Sequence, residues 1–227
     1  MTSEARADVR DMYMAHTTFR REFRLAPGLV RGVPAGDVER ARVVADHLGL
    51  VEGMLMHHHQ AEDKHIWPRL LERAGSDAAP IVTVMEQQHE TLDVALETTR
   101  ELLHTWAGTA DPAHGTALAE ALERLVPPLV EHLAVEEETA VPLIEEYITA
   151  TEWQQTVADG AEGVDPEQMP LLLGMMMYEG DPDTVRDVIA GLPPEIGPVM
   201  AELAPAAWAG YAEQVYGTAT PEQVGKP

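Results

Sequence analysis

Four apolar stripes, each interrupted by histidine, constrain this chain more than any other feature. Glycine- and proline-rich breaks fall at Ala26–Gly28 with Val33–Asp37, at Ala74–Pro80 and at Ala107–Gly115. The four segments between them show no strand alternation. The first carries Met12, His16, Phe19 and Phe23. The second carries Val44, Leu48, Val51, Leu55, His58, Glu62 and His65. The third carries Val82, Met85, His89, Leu92, Leu96, Thr99, Leu103 and Trp106. The fourth carries Leu118, Leu122, Leu125, Leu129, His132, Glu136, Ala140, Leu143 and Tyr147. Steps of three or four residues keep one stripe of a helix facing its neighbours. Four such helices joined by short loops predict an all-α, up-down-up-down bundle. Asp37 is the expected N-cap of the second helix, and Ser76 or Asp77 that of the third. Pro68 and the Pro127–Pro128 pair are expected to kink the second and fourth.

The polar residues on these stripes need an explanation. His16, His58, Glu62, His89, His132 and Glu136 occupy core-facing positions, where unpartnered carboxylates and imidazoles are costly. Counting from the turns tests whether they share a depth. The midpoint of Glu62 and His89 falls at Gly75–Ser76, and that of His89 and His132 between Ala110 and Asp111, both inside breaks. The midpoint of His16 and His58 is Asp37, at the edge of the first break. At ~1.5 Å of rise per residue, an offset of a few residues is about 5 Å. The six side chains are therefore expected in one layer of the bundle.

His58 with Glu62, and His132 with Glu136, are spaced i, i+4, which stacks both side chains on one helix face. A set of imidazoles and carboxylates suits iron, manganese or zinc and is too nitrogen-rich for magnesium or calcium. Two carboxylates among four helices fit a dinuclear centre better than a single ion. Among the neighbours, Asp93 lies one turn beyond His89 and borders its stripe, while His59 flanks His58. Either could add a ligand. Glu137, Glu138, His104 and His114 are expected in solvent. His57 and His65 should flank the layer, and His47 should pack away from it.

Composition excludes other chemistry. The chain has no cysteine, so disulfides, thiolate metal sites and iron–sulfur clusters are ruled out. Fifteen basic against thirty-nine acidic residues give a formal charge of −24, which disfavours nucleic acid and anionic membranes as partners. The opening MTSEARADVR is charged, and the apolar run Met169–Tyr178 is too short to span a bilayer. A cytoplasmic location is expected.

The motifs together resemble a known family. A lone His16, then HHHQAED followed by WPRLL, then EQQHE, then EHLAVEEE followed by VPLI, resemble the hemerythrin-like HHE cation-binding family over about Asp8 to Tyr147. The resemblance implies a four-helix bundle holding two iron ions, oxo- or hydroxo-bridged, with carboxylate bridges. Carried over by position, it implies His16, His58, Glu62, His89, His132 and Glu136 as ligands. Oxygen-carrying members have a second histidine where this chain has Asp93. An iron-sensing relative uses the residue after the second-helix histidine, here His59. The seventh ligand is therefore His59 or Asp93. The resemblance implies binding of or reaction with O2, NO or peroxide, in oxygen, iron or redox sensing or in stress protection. The alternative is a di-iron oxidase, or an enzyme that consumes peroxide or NO. Domains are expected at 1–150 for the bundle and 151–227 for a helical extension of actinobacterial type, which in the alternative would form a lid. The extension should hold helical runs at Asp165–Tyr178, Asp181–Ala190 and Glu195–Tyr216, with GTATPEQVGKP as a frayed tail.

Three other readings use the same residues less well. A ferritin-like oxidase built on Glu62-x-x-His65 and Glu86-x-x-His89 would leave His16, His58 and His132 unemployed. His89–Asp93 reads HETLD and lacks the second histidine of a zinc peptidase helix. A metal-free bundle would leave two carboxylates buried among histidines.

Overall fold

The computed structural model describes residues 4–161 and 164–227. Four long helices form a closed ring: α1 (Arg10–Arg31), α2 (Val38–His65), α4 (Ala79–Ala107) and α5 (Pro112–Thr139). α1 packs against α2 and α5, and α4 packs against the same two. Short helices α3 (Trp67–Ala74) and α6 (Val141–Tyr147) continue α2 and α5. This is the expected all-α bundle with further helices at its C-terminal end. Strand-like pairing among the described residues is one isolated bridge, between Arg6 and Thr149. No helix among them is long and apolar enough to cross a membrane.

The breaks fall partly where the sequence puts them. Asp37 caps α2, accepting from the Arg40 amide at 3.0 Å. α2 gives way to α3 at Ile66, with Pro68 in the first turn of α3, where a missing N–H costs least. Two expectations are corrected. Pro27 lies inside α1, which runs on to Arg31, so the first turn starts at Gly32 rather than Ala26. That moves the turn toward Asp37 and tightens the register of His16 with His58. Pro127 and Pro128 lie inside α5, and the fourth segment also divides at Ala140, ahead of Pro142. Neither Ser76 nor Asp77 caps α4, whose N-cap is Ala78 with no side-chain bond.

The apolar stripes bury three clusters along the bundle. One gathers Met12, Ile66, Trp67, Leu70, Met85 and Ile144. The middle one holds Phe19, Leu55, Leu92 and Leu129. The third holds Val30, Val44, Trp106 and Leu118 near the first and third turns. Along every long helix, the stripe residues between the first and middle clusters are the histidines and glutamates of interest. The polar layer is thus sandwiched between two apolar ones.

The remaining helices are α7 (Ala150–Gly160), α8 (Met169–Met177), α9 (Pro182–Gly191) and α10 (Gly197–Tyr216). α8 and α10 pack on each other and on α1 and α2, and their Met175, Trp208 and Ala212 join the middle cluster of the bundle. Gly174 allows that packing, because an added Cβ would lie 2.7 Å from the Ala204 carbonyl carbon. The last eleven residues are not frayed. Tyr178 Oη donates to the Pro221 carbonyl at 2.7 Å, and the Gly225 amide donates to Glu179 Oε1 at 3.2 Å. Polar composition alone suggested a loose end, but Pro221 and Gly225 are buried.

Candidate metal centre

The bundle brings the six expected residues together and adds one. His16 comes from α1, His58, His59 and Glu62 from α2, His89 from α4, and His132 and Glu136 from α5. Their donor atoms form two groups. His59, His89 and His132 make one, and His16, His58, Glu62 and Glu136 make the other. Within each group the donor atoms lie within 4.8 Å of one another.

The two carboxylates join the groups. Glu62 Oε1 is 3.1 Å from His58 Nε2, while its Oε2 is 3.6 Å from His89 Nε2. Glu136 Oε2 is 3.4 Å from His16 Nε2 and 3.7 Å from His132 Nε2. Each glutamate therefore faces one ring from each side. His16 Nε2 and His58 Nε2 point at each other across 3.1 Å.

The layer is buried and electrostatically unsettled by itself. His16, His132 and Glu136 are fully buried, and Glu62 nearly so. Both nitrogens of His59, Nε2 of His89 and of His132, and all four oxygens of Glu62 and Glu136 are buried without a hydrogen-bond partner. Orphaned polar atoms in such number are foreign to an apolar core. Burial, and then the neighbouring His16, push His58 well below its ordinary pKa, and burial with His89 does the same to His59. His132 is pushed down to about 2 by burial and by His89. Burial and the facing Glu136 raise Glu62 well above the usual carboxylate range. Neutral rings and a pair of opposed carboxylates are what a cation between them would reconcile.

The outward nitrogens of three rings are held. His16 Nδ1 is 2.9 Å from Glu137 Oε1, and Arg20 donates to both Glu137 oxygens at 2.8 and 2.9 Å. His89 Nδ1 lies 2.8 Å from Asp63 Oδ1, which also accepts from Trp67 Nε1. His132 Nδ1 lies 3.1 Å from Gln88 Oε1. These bonds leave Nε2 of each ring facing the layer. Glu137 was expected in solvent and is not. Burial works against its charge, but His16 and Arg20 hold the carboxyl below the usual range. Arg20, Asp63 and Gln88 lie off the apolar stripes, so periodicity gave no reason to single them out. Their signal is position: each sits within four residues of a ligand candidate.

The two candidates for a seventh ligand separate clearly. His59 is buried and belongs to the first group, stacked on His89 with centroids 4.1 Å apart. Asp93 is exposed and belongs to neither. A four-residue step overshoots a full helical turn by about 40°, and Leu92 takes the inward position instead. Consecutive residues are about 100° apart. At a corner of a square bundle, His58 can face α1 while His59 faces α4. The other histidines lie outside the layer. His65 Nε2 pairs with Asp159 of α7 at 2.9 Å, His57 is half-buried, and His47 is buried elsewhere. His104 and His114 are exposed, as expected.

Residues 7–144 match the family model of the hemerythrin HHE cation binding domain. A curated relative, the iron-sulfur cluster repair protein YtfE of Cronobacter sakazakii, is 29% identical over 115 residues, covering 49% of this chain and 48% of the relative. The chain thus spans about half the length of the curated relative it matches. No solved structure matches it.

Proposed function

The chain belongs to the hemerythrin HHE cation-binding family, and on that premise we propose that it holds two iron ions and binds or reacts with O2, NO or peroxide. Hemerythrin-like domains bind iron, and His59, His89 and His132 would hold one ion and His16 and His58 the other, with Glu62 and Glu136 facing both groups. The observation that carries it is the convergence of buried, unpartnered donor atoms from four helices. Such donors also suit manganese and zinc. The Cronobacter relative is named for iron–sulfur cluster repair, which supports iron.

When bound, iron would supply redox chemistry and an open coordination position for a small diatomic molecule or peroxide. The chain's own residues prepare the site. Burial disfavours the protonated form of His58, His59 and His132, so their lone pairs are available at neutral pH. Glu137, Asp63 and Gln88 fix which nitrogen faces inward. Phe19, Leu55, Met85, Leu92 and Leu129 are all buried around the layer and exclude bulk water. The His58 side chain is 17% exposed, the most open of the set, with the Phe19 ring 5.3 Å away. In this reading small ligands enter there, along the α1–α2 seam.

Elemental analysis of untagged protein tests the proposal. About two irons per chain are expected, with near-ultraviolet charge-transfer absorption that disappears when Glu62 and Glu136 are both changed to alanine. One zinc per chain, or no metal, would sink it.

A second reading makes the protein an enzyme with its extension as a lid. One observation favours it: α7 lies along α2, and Asp159 holds Lys64 at 2.6 Å and His65 at 2.9 Å. Asp159→Ala should then change the rate of peroxide consumption at unchanged iron content. An unchanged rate removes the lid.

A further inference from the structure

Away from the metal layer, α1, α2, α8 and α10 bury a second set of ionisable groups that the iron reading does not use. Arg21, Glu22 and His47 are each 0% exposed. Arg21 donates to Glu22 Oε1 at 2.6 Å, to Glu179 Oε2 at 3.2 Å and to the Met175 carbonyl at 2.9 Å. Its guanidinium sits 5.3 Å from the Tyr178 ring centre and 5.1 Å from that of Trp208. The other oxygen of Glu22 accepts a hydrogen bond from the Tyr216 hydroxyl. The same hydroxyl lies 3.0 Å from His47 Nε2, which is 3.1 Å from Glu22 Oε2.

An oxidisable ring adjoins this phenol. Trp208 packs 6.2 Å from Tyr216, 5.7 Å from Tyr178 and 6.3 Å from Tyr211, centre to centre. Its Nε1 is buried without a partner. Trp208 and Phe19 share one buried cluster, and the Phe19 ring touches His58. Packed side chains therefore run from Tyr216 to the metal layer.

Packing alone does not call for this arrangement. Burying a carboxylate, an imidazole and a guanidinium carries a large desolvation penalty before pairing, and phenylalanine at 216 would fill the same space. What the set adds is a phenol with a proton acceptor in place. Tyrosine gives up an electron at neutral pH only if its proton leaves too, because the phenol radical cation is a strong acid. Burial and the Glu22 charge hold the Tyr216 proton in place far above the ordinary phenol range. Glu22, although buried, is kept ionised by His47 and Arg21 and can receive that proton.

We infer that Tyr216 is a redox-active residue, giving one electron through Trp208 to a strong one-electron oxidant in the bundle core while its proton passes to Glu22. The Tyr216 O–H bond breaks and an O–H bond forms at Glu22 Oε2. Tyr216 is oxidised to a neutral phenoxyl radical, and the oxidant is reduced by one electron. On the iron reading, iron held in the layer would supply the oxidising equivalent in its reaction with peroxide, and Tyr216 would deliver the electron that spares the surrounding side chains. The choice of oxidant rests on the iron reading, whereas the radical site does not.

The test uses metal-free, full-length protein, so it is independent of iron. Photogenerated tris(bipyridine)ruthenium(III) is the oxidant, in a background where the outlying Tyr13 and Tyr147 are phenylalanine, and radicals are trapped by freezing for electron paramagnetic resonance. A tyrosyl signal is expected that is lost in Tyr216→Phe, kept in Tyr211→Phe and delayed in Trp208→Phe. A signal that survives Tyr216→Phe overturns the inference. Should Tyr216→Phe fail to fold, electron–nuclear double resonance on the parent protein decides. Ordered exchangeable-proton couplings from Glu22 and His47 support Tyr216, and their absence overturns it.

Discussion

Replacing His59 by alanine should lower the iron content from about two ions per chain to about one, while Asp93→Ala leaves it unchanged. The two positions were equal candidates in the sequence and are unequal in space. His59 has two buried ring nitrogens with no partner, a stacked neighbour in His89 at 15° between planes, and an edge contact with His132 at 4.9 Å. The three rings pack this closely, yet neither nitrogen of His59 nor Nε2 of His89 or His132 has a hydrogen-bond partner. Removing His59 leaves His89 and His132 with the carboxylates, a donor set short of one nitrogen. The group containing His16 and His58 keeps all four of its members. Asp93 has no donor within the layer to lose. Metal analysis of the two variants, purified under iron-replete conditions, settles the matter. Full occupancy in the His59 variant with loss in the Asp93 variant would reverse the assignment.

How much of this was legible beforehand depends on how local each signal was. His16, His58, Glu62, His89, His132 and Glu136 could be read because each sits on an apolar stripe, and because equal distances from the turns placed them at one depth. His59 could not be settled that way. A stripe is a line, whereas a bundle corner exposes a face about 100° wide, and adjacent residues can both look inward. Arg20 and Glu137 escaped for a related reason. The long Arg20 side chain, 2% exposed, reaches a partner on another helix, and such pairings between α1 and α5 leave no periodic trace. α7 was missed although Thr149 and Glu152 form a capping box, a short-range signal outweighed by the proline-rich texture of the region around it. The expected break at Pro27 failed because tertiary packing held α1 continuous, against a local cost of about 3 kcal/mol for a proline in a helix interior.

Changing Glu62 to glutamine should have opposite effects on the metal-free and metal-loaded protein. In the metal-free fold the Glu62 carboxyl is raised well above its usual range by burial and by Glu136. The folded chain therefore keeps a proton that the unfolded chain releases above pH of about 4.3. Stability from this group is present in acid and declines as pH rises, by about 1.4 kcal/mol per pH unit until the raised value is passed. The histidines act on the other side. His58, His59 and His132 are lowered, so below pH of about 6.5 the unfolded chain binds protons that the fold refuses. Each ring then costs about 1.4 kcal/mol per pH unit of acidification. Asp11, raised to about 6 by burial, offsets one of the three. The metal-free protein should thus be most stable near pH 6.5, losing stability in both directions. Glutamine at 62 removes the alkaline decline, because the amide has no charge to bury. The gain at pH 8 should exceed that at pH 5 by about 2 kcal/mol or more, within the range seen when a buried charge is neutralised. Urea titrations of metal-free wild type and Glu62→Gln at these two pH values measure the difference directly. The same substitution removes an anionic oxygen from between the two histidine groups, so iron binding should weaken. A fold that gains stability when a buried carboxyl is neutralised carries a strain that a bound cation would relieve. An equal stability difference at pH 5 and pH 8 would mean that Glu62 carries no such strain.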